Sequence, residues 1–166
     1  MERSEFESLR DVPGKMIRGK NASFRYVPNG VPGIETRLPL LFSAGVIGGR
    51  IDPGTFVALT ATNPARIYGL YPRKGTLAIG SDADIVLWDP KRVATIRNDL
   101  LHHAVDFTPY EGTSVTGWPV TTISRGEIVW HEGEVRGMPG RGEFLPCGTP
   151  EPAARQYAHG CIADLE

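Results

Sequence analysis

Glycine and proline interrupt this chain so often that no long helix or strand fits between them. Twenty Gly and fourteen Pro make up more than a fifth of its 166 residues, without the fixed period of a fibrous repeat. Each Gly opens positive φ to the backbone and each Pro removes a hydrogen-bond donor. Such a chain folds as many short elements joined by tight turns. Its hydrophobic fraction of 40% and its formal charge of -1 fit a globular domain with a core of its own and offer no basic surface for nucleic acid. No apolar run approaches the roughly 20 residues that span a bilayer. The acidic residues 1–7 lack the apolar stretch of a secretory signal, so a cytoplasmic location is expected.

The periodicity changes along the chain. Residues 1–35 carry neither a helical nor a strand period and read as a long loop. From Thr36, the apolar positions Leu38, Leu41, Phe42, Val46 and Ile47 form a helical stripe that stops at Gly48-Gly49, with Pro39 expected in its first turn. Asp52-Pro53 supplies an N-cap and a first-position Pro for a second helix, with Phe56, Val57 and Leu59 expected inward. Asn63-Pro64 repeats the device, and Gly69 closes that third helix in the left-handed conformation. Thr76-Leu77-Ala78-Ile79 and Ala83-Asp84-Ile85-Val86-Leu87-Trp88, the latter ending at Asp89-Pro90, read as strands. Residues 95–118 read as an excursion. Residues 120–124 and 127–130 form a hairpin about Arg125-Gly126, and Glu132-Gly133 marks the next turn. Residues 137–152 read as an extended tail and residues 153–165 as a weak helix. The fold expected is α+β, helices first and short antiparallel strands after.

Few residues in this pattern suggest chemistry by themselves. The four histidines, His102, His103, His131 and His159, form neither His-x-His nor a pair four apart. On an extended chain His102 and His103 point to opposite faces, so their plain reading is that of exposed loop residues. Asp82 and Asp84 could be paired carboxylates, but a polar turn before a buried strand explains them more simply. Glu35 and Arg37 could form a catalytic ion pair, or no more than charge at a helix start beside a capping Thr36. Cys147 has no basic or His neighbour within five residues to activate it. With Cys161 it reads as a reduced pair in the tail.

Three stretches are more specific. Val27-Pro28-Asn29-Gly30-Val31-Pro32-Gly33-Ile34-Glu35-Thr36-Arg37-Leu38-Pro39, then Thr60-Ala61-Thr62-Asn63-Pro64-Ala65-Arg66-Ile67-Tyr68-Gly69-Leu70-Tyr71-Pro72-Arg73-Lys74-Gly75, then Gly80-Ser81-Asp82-Ala83-Asp84-Ile85-Val86-Leu87-Trp88-Asp89-Pro90 resemble consecutive motifs of the hydantoinase and dihydropyrimidinase family of cyclic amidohydrolases. Tyr110-Glu111-Gly112, Thr116-Gly117-Trp118-Pro119-Val120 and Ser124-Arg125-Gly126 are similar to it as well. The likeness runs from about residue 12 to about residue 145 and follows the C-terminal portion of that family. It implies the last helices of a (β/α)₈ barrel followed by short antiparallel β-sandwich strands, with no counterpart of the barrel's first seven strands. The division expected is a leader at 1–12, the last barrel loop and helices at 13–72, sandwich strands at 73–135 and a tail at 136–166.

The same resemblance implies hydrolysis of a ring amide by water activated between two divalent metal ions, typically zinc, with a bridging carboxylated Lys. This chain lacks the His-x-His pair and the other ligands of such a centre, so no catalytic residue and no metal ligand is assigned. Asp11, in Arg10-Asp11-Val12-Pro13, stands near the place of the family's last carboxylate ligand; one carboxylate alone cannot hold the ion. Asn29 and Gly30 are the candidate substrate-binding residues, because the family's Asn-Gly turn bonds the cyclic amide through its backbone; an ordinary turn is the plainer alternative. Two functions remain open. The chain is the C-terminal portion of a cyclic amidohydrolase, inactive alone, working as a homo-oligomer or with a complementary N-terminal portion. Alternatively it is a non-catalytic assembly module, in which Leu38, Leu41, Phe42, Phe56 and Val57 expose an associating patch.

Overall fold

The computed structural model describes residues 30–105 and 107–151. Asp11, Asn29, His159, Cys161 and the expected terminal helix lie outside the described residues. The described chain divides into two compact units: residues 30–37 with Thr95–Ser114, and Leu38–Ala94 with residues 115–151.

Helix α1 covers Ile34–Leu41 and begins earlier than its apolar stripe suggests. Pro39 therefore lies inside the helix, and Thr36 is a helical residue rather than its cap. The helix widens to a π-helical segment over Phe42–Ile47. Gly49, at φ 69°, stops it: the Gly49 N–H donates to Val46 O and the Arg50 N–H to Gly45 O, closing the last carbonyls in a Schellman arrangement.

Helix α2 covers Pro53–Val57, and its start follows the sequence. Both the Thr55 N–H and the Thr55 hydroxyl donate to the Asp52 carboxylate, at 2.9 and 2.8 Å. The expected break at Asn63-Pro64 does not occur. A second π-helical segment, Ala58–Thr62, leads directly into α3, Asn63–Ile67, and Thr62 and Asn63 both keep right-handed helical angles. Pro64 has no N–H and its ring would crowd the carbonyl one turn back, whereas a widened turn admits it without ending the helix. Gly69, at φ 65°, ends α3 as expected, with the Gly69 N–H donating to Arg66 O and the Leu70 N–H to Ala65 O. The tail is fastened here: the Gly148 N–H donates to Gly69 O and the Glu151 N–H to Arg66 O.

Four strands follow in the order β1-β2-β3-β4. They are β1, Ile85–Thr95; β2, Ser114–Ser124; β3, Glu127–His131; and β4, Glu134–Val135. Residues 76–79 form a bend, irregular chain and the start of a turn rather than a strand. β1 runs on through Pro90, which an edge strand tolerates because, among the described residues, one side of its backbone has no neighbouring strand. β2 starts at Ser114, so the excursion is shorter than its weak periodicity suggests. β2 and β3 are antiparallel, with Ser124 opposite Glu127 and a bulge between Thr122 and Ile123. Arg125 and Gly126 hold φ at 50° and 82° and Glu132 and Gly133 at 48° and 90°. These are the paired positive angles of two-residue hairpin turns.

The larger unit has a small core of Phe56, Ala58, Ala65 and Val115. Phe42 stacks on Trp88 at 4.7 Å between ring centres, and Phe56 meets both edge-on at 5.4 and 5.9 Å. Of the anticipated patch of Leu38, Leu41, Phe42, Phe56 and Val57, Phe42 and Phe56 pack against Trp88, while Leu38 and Leu41 are only partly buried. Val57 and Leu59, expected inward, are about half exposed; Val57 follows Phe56 directly in α2 and so stands about 100° round the helix from it.

Candidate functional site

Gly30 is the first described residue and is exposed, with φ at 145°, open to glycine alone. It leads into Val31-Pro32-Gly33 and the first turn of α1. The Arg37 N–H donates to Gly33 O at 2.9 Å, and the Thr36 hydroxyl donates to the same carbonyl at 3.4 Å while Thr36 is 1% exposed. A β-carbon built on Gly33 would touch the Tyr110 ring at 3.7 Å. The turn is therefore packed on its inner side by the excursion and open on its outer side.

Glu35 fastens the same turn from another direction. One carboxylate oxygen accepts the His102 backbone N–H at 2.8 Å and the other lies 2.9 Å from His102 Nδ1. His103 turns to a different partner, with Nε2 2.9 Å from Asn98 Oδ1. Asn98 is itself held, its N–H donating to Glu111 at 2.8 Å. The two adjacent imidazoles thus serve two networks. The pairing of Glu35 with His102, 67 residues apart in sequence, has no local signal, because neither residue's neighbours specify the other.

The remaining candidates bond within the chain or, for Cys147, lie exposed. Asp82 and Asp84 share Lys74, whose Nζ lies 2.9 and 2.5 Å from them. Asp84 also accepts the Arg125 N–H at 2.8 Å, so the pair joins the connector after α3 to the β2–β3 turn. The hydrogen bond from Lys74 is the main reason the Asp82 carboxyl is held below its ordinary range. For Asp84, burial pulls upward most strongly, but Lys74 and the Arg125 N–H together outweigh it and lower the pKa. Burial likewise opposes the Lys74 ammonium, and hydrogen bonds to Asp84 and Asp82 overcome it and raise the pKa. His131 Nδ1 lies 2.9 Å from the Thr121 hydroxyl, and Cys147 is exposed.

A cavity of about 780 Å³ opens in the larger unit beside Phe42, Phe56, Leu77 and Trp88. Its walls are apolar. Lys74, Asp82 and Asp84 at its rim bond one another, and the Thr60 and Thr62 hydroxyls donate to Phe56 O and Gly75 O. These polar groups already bond within the chain. Among the described residues no group of three His, Cys, Asp or Glu side chains comes together to hold a metal ion, and a two-cation centre finds no ligand set there.

Comparison with known proteins agrees with the sequence motifs. The profile of the amidohydrolase family matches residues 33–129. The chain is 50% identical over 123 residues to dihydropyrimidinase 2 of Caenorhabditis briggsae, covering 74% of this chain and 24% of that protein. It is 48% identical over 132 residues to the D-hydantoinase of Ralstonia pickettii, covering 80% of this chain and 28% of that one. The crystal structure of dihydropyrimidinase from Brevibacillus agri NCHU1002 superposes with a TM-score of 0.76 at 40% identity, covering 84% of this chain and 30% of that one. The chain spans about a quarter of the length of the curated relatives it matches. By motif order, sequence identity and backbone path alike, it belongs to the amidohydrolase family, among relatives that are hydantoinases and dihydropyrimidinases.

Proposed function

We propose that this chain forms the C-terminal portion of a metal-dependent cyclic amidohydrolase of the cytoplasm, one that opens the ring amide C–N bond of hydantoins or dihydropyrimidines. The observation that carries this reading is identity near 50% across three-quarters of the chain, to proteins named D-hydantoinase and dihydropyrimidinase. In this reading residues 13–72 contribute the last loop and helices of a (β/α)₈ barrel, residues 73–135 part of a β-sandwich, and residues 1–12 and 136–166 a leader and a tail. The metal ions are held by residues outside this chain. The part given to this chain is contact with the substrate at Asn29 and Gly30, where backbone groups of a glycine-containing turn bond the cyclic amide.

The test is complementation. The chain alone is expected to give no metal-dependent opening of dihydrouracil or hydantoin. Co-expression with the N-terminal three-quarters of the Ralstonia pickettii D-hydantoinase is expected to give a stable complex that binds divalent metal and opens one of those rings. Turnover by the chain alone, or a stable complex without turnover, overturns the proposal.

A further inference from the structure

We infer that Glu35 and His102 are positioning residues for the substrate turn: their two-point contact fixes the backbone that carries Gly30, and so sets how tightly the cyclic amide is held. The inference rests on the functional reading above, which places the substrate at that turn. Three observations within one compact unit support it. The Glu35 carboxylate engages His102 through both oxygens, at 2.8 Å to the backbone N–H and 2.9 Å to the ring, so the excursion is gripped at its main chain as well as at a side chain. Gly33, two residues before Glu35, packs against the Tyr110 ring of the same excursion. Thr36, one residue after it, is 1% exposed and bonds back to Gly33 O.

These contacts hold the chain from Gly33 to Arg37 on more than one side, and among the described residues nothing lies within 4 Å of where a β-carbon on Gly30 would stand. A half-exposed carboxylate and imidazole contribute little to global stability, because water screens them. Their value is geometric: a turn that must present backbone groups to a small ring gains affinity when its ordering cost is met before binding. Removing the grip is expected to loosen substrate binding more than it slows bond cleavage, since both residues act through the backbone of the turn.

The experiment has two arms. In the chain alone, amide hydrogen exchange is compared for the wild type, Glu35→Ala, Glu35→Gln and His102→Ala. Glu35→Ala is expected to speed exchange at Arg37 and His102 by about tenfold or more, leaving Thr121–Trp130 unchanged. Glu35→Gln restores near wild-type exchange, because its amide oxygen accepts the His102 N–H and its amide nitrogen donates to the ring. His102→Ala leaves α1 untouched and gives a smaller increase, which keeps the test valid if Glu35→Ala does not fold. In the complemented enzyme, Glu35→Ala is expected to raise KM for dihydrouracil about tenfold with kcat within about twofold, and Glu35→Gln to restore KM. Unchanged exchange in both alanine variants, exchange raised equally throughout the chain, or faster exchange with unmoved KM overturns the inference. An inactive wild-type complex beside the expected exchange pattern overturns the functional reading, and with it the assignment of a substrate to this grip.

Discussion

The Phe42 ring lies where any residue but glycine at position 117 would carry its β-carbon. A β-carbon built there would overlap the Cδ1 and Cε1 edge of the ring, and Gly117 also holds φ at 93°. Beside it the Thr116 N–H donates to the Ser43 hydroxyl at 3.0 Å. The π-helical segment after α1 is thus seated on β2 through a missing side chain. Gly117→Ala is expected to destabilise the fold by roughly 2–4 kcal/mol, combining overpacking with backbone strain. Gly133→Ala, at φ 90° with open space around it, meets only the strain and is expected to cost about 1–2 kcal/mol. Urea unfolding of both variants checks the difference; equal losses would mean that the ring moves aside freely.

Phe56 is 7% exposed and meets both Phe42 and Trp88 edge-on. Phe56→Ala removes the member that joins the other two and leaves a cavity, at an expected cost of about 3–5 kcal/mol. Phe56→Leu, which retains most of the volume, should lose less than half as much. The tryptophan fluorescence of Trp88 should shift to longer wavelength in the alanine variant as water reaches it.

The Lys74 network sets a pH window. Asp82 and Asp84 have folded pKa values below their ordinary ones, so their stabilisation is complete above the unfolded carboxylate value near about 4 and is lost as pH falls through the lower folded values. The folded Lys74 pKa is raised, so its stabilisation is complete below the unfolded value near about 10.4 and is lost as pH rises through the higher folded one. Urea midpoints should form a plateau between these limits. Lys74→Met should lower the plateau and flatten both shoulders; an unchanged profile would show that solvent screens the network.

Metal content gives an independent check. Equilibrium dialysis of the chain against zinc should leave no tightly held pair of ions, because the three described imidazoles are committed to Glu35, Asn98 and Thr121. Two ions retained per chain after gel filtration would refute the assignment of the ligands to residues outside it.

Local chemistry was legible wherever a residue and its immediate neighbours decide the conformation. The Asp52 cap, the left-handed Gly49 and Gly69, and the Arg125-Gly126 and Glu132-Gly133 turns each depend on a dipeptide and its own dihedral preferences. So do the change from helices to strands and the motif order that reveals the family. The tertiary structure decided what depends on distant partners. It carried the helix through Pro64 by way of a π-helical turn, turned Val57 outward, and kept residues 76–79 out of the sheet. It also gave Phe42 to Trp88 and Gly117, and Glu35 to His102. The Phe42 and Glu35 pairings were not readable beforehand, because they join residues that the sequence holds far apart, and one-dimensional periodicity carries no information about such partners.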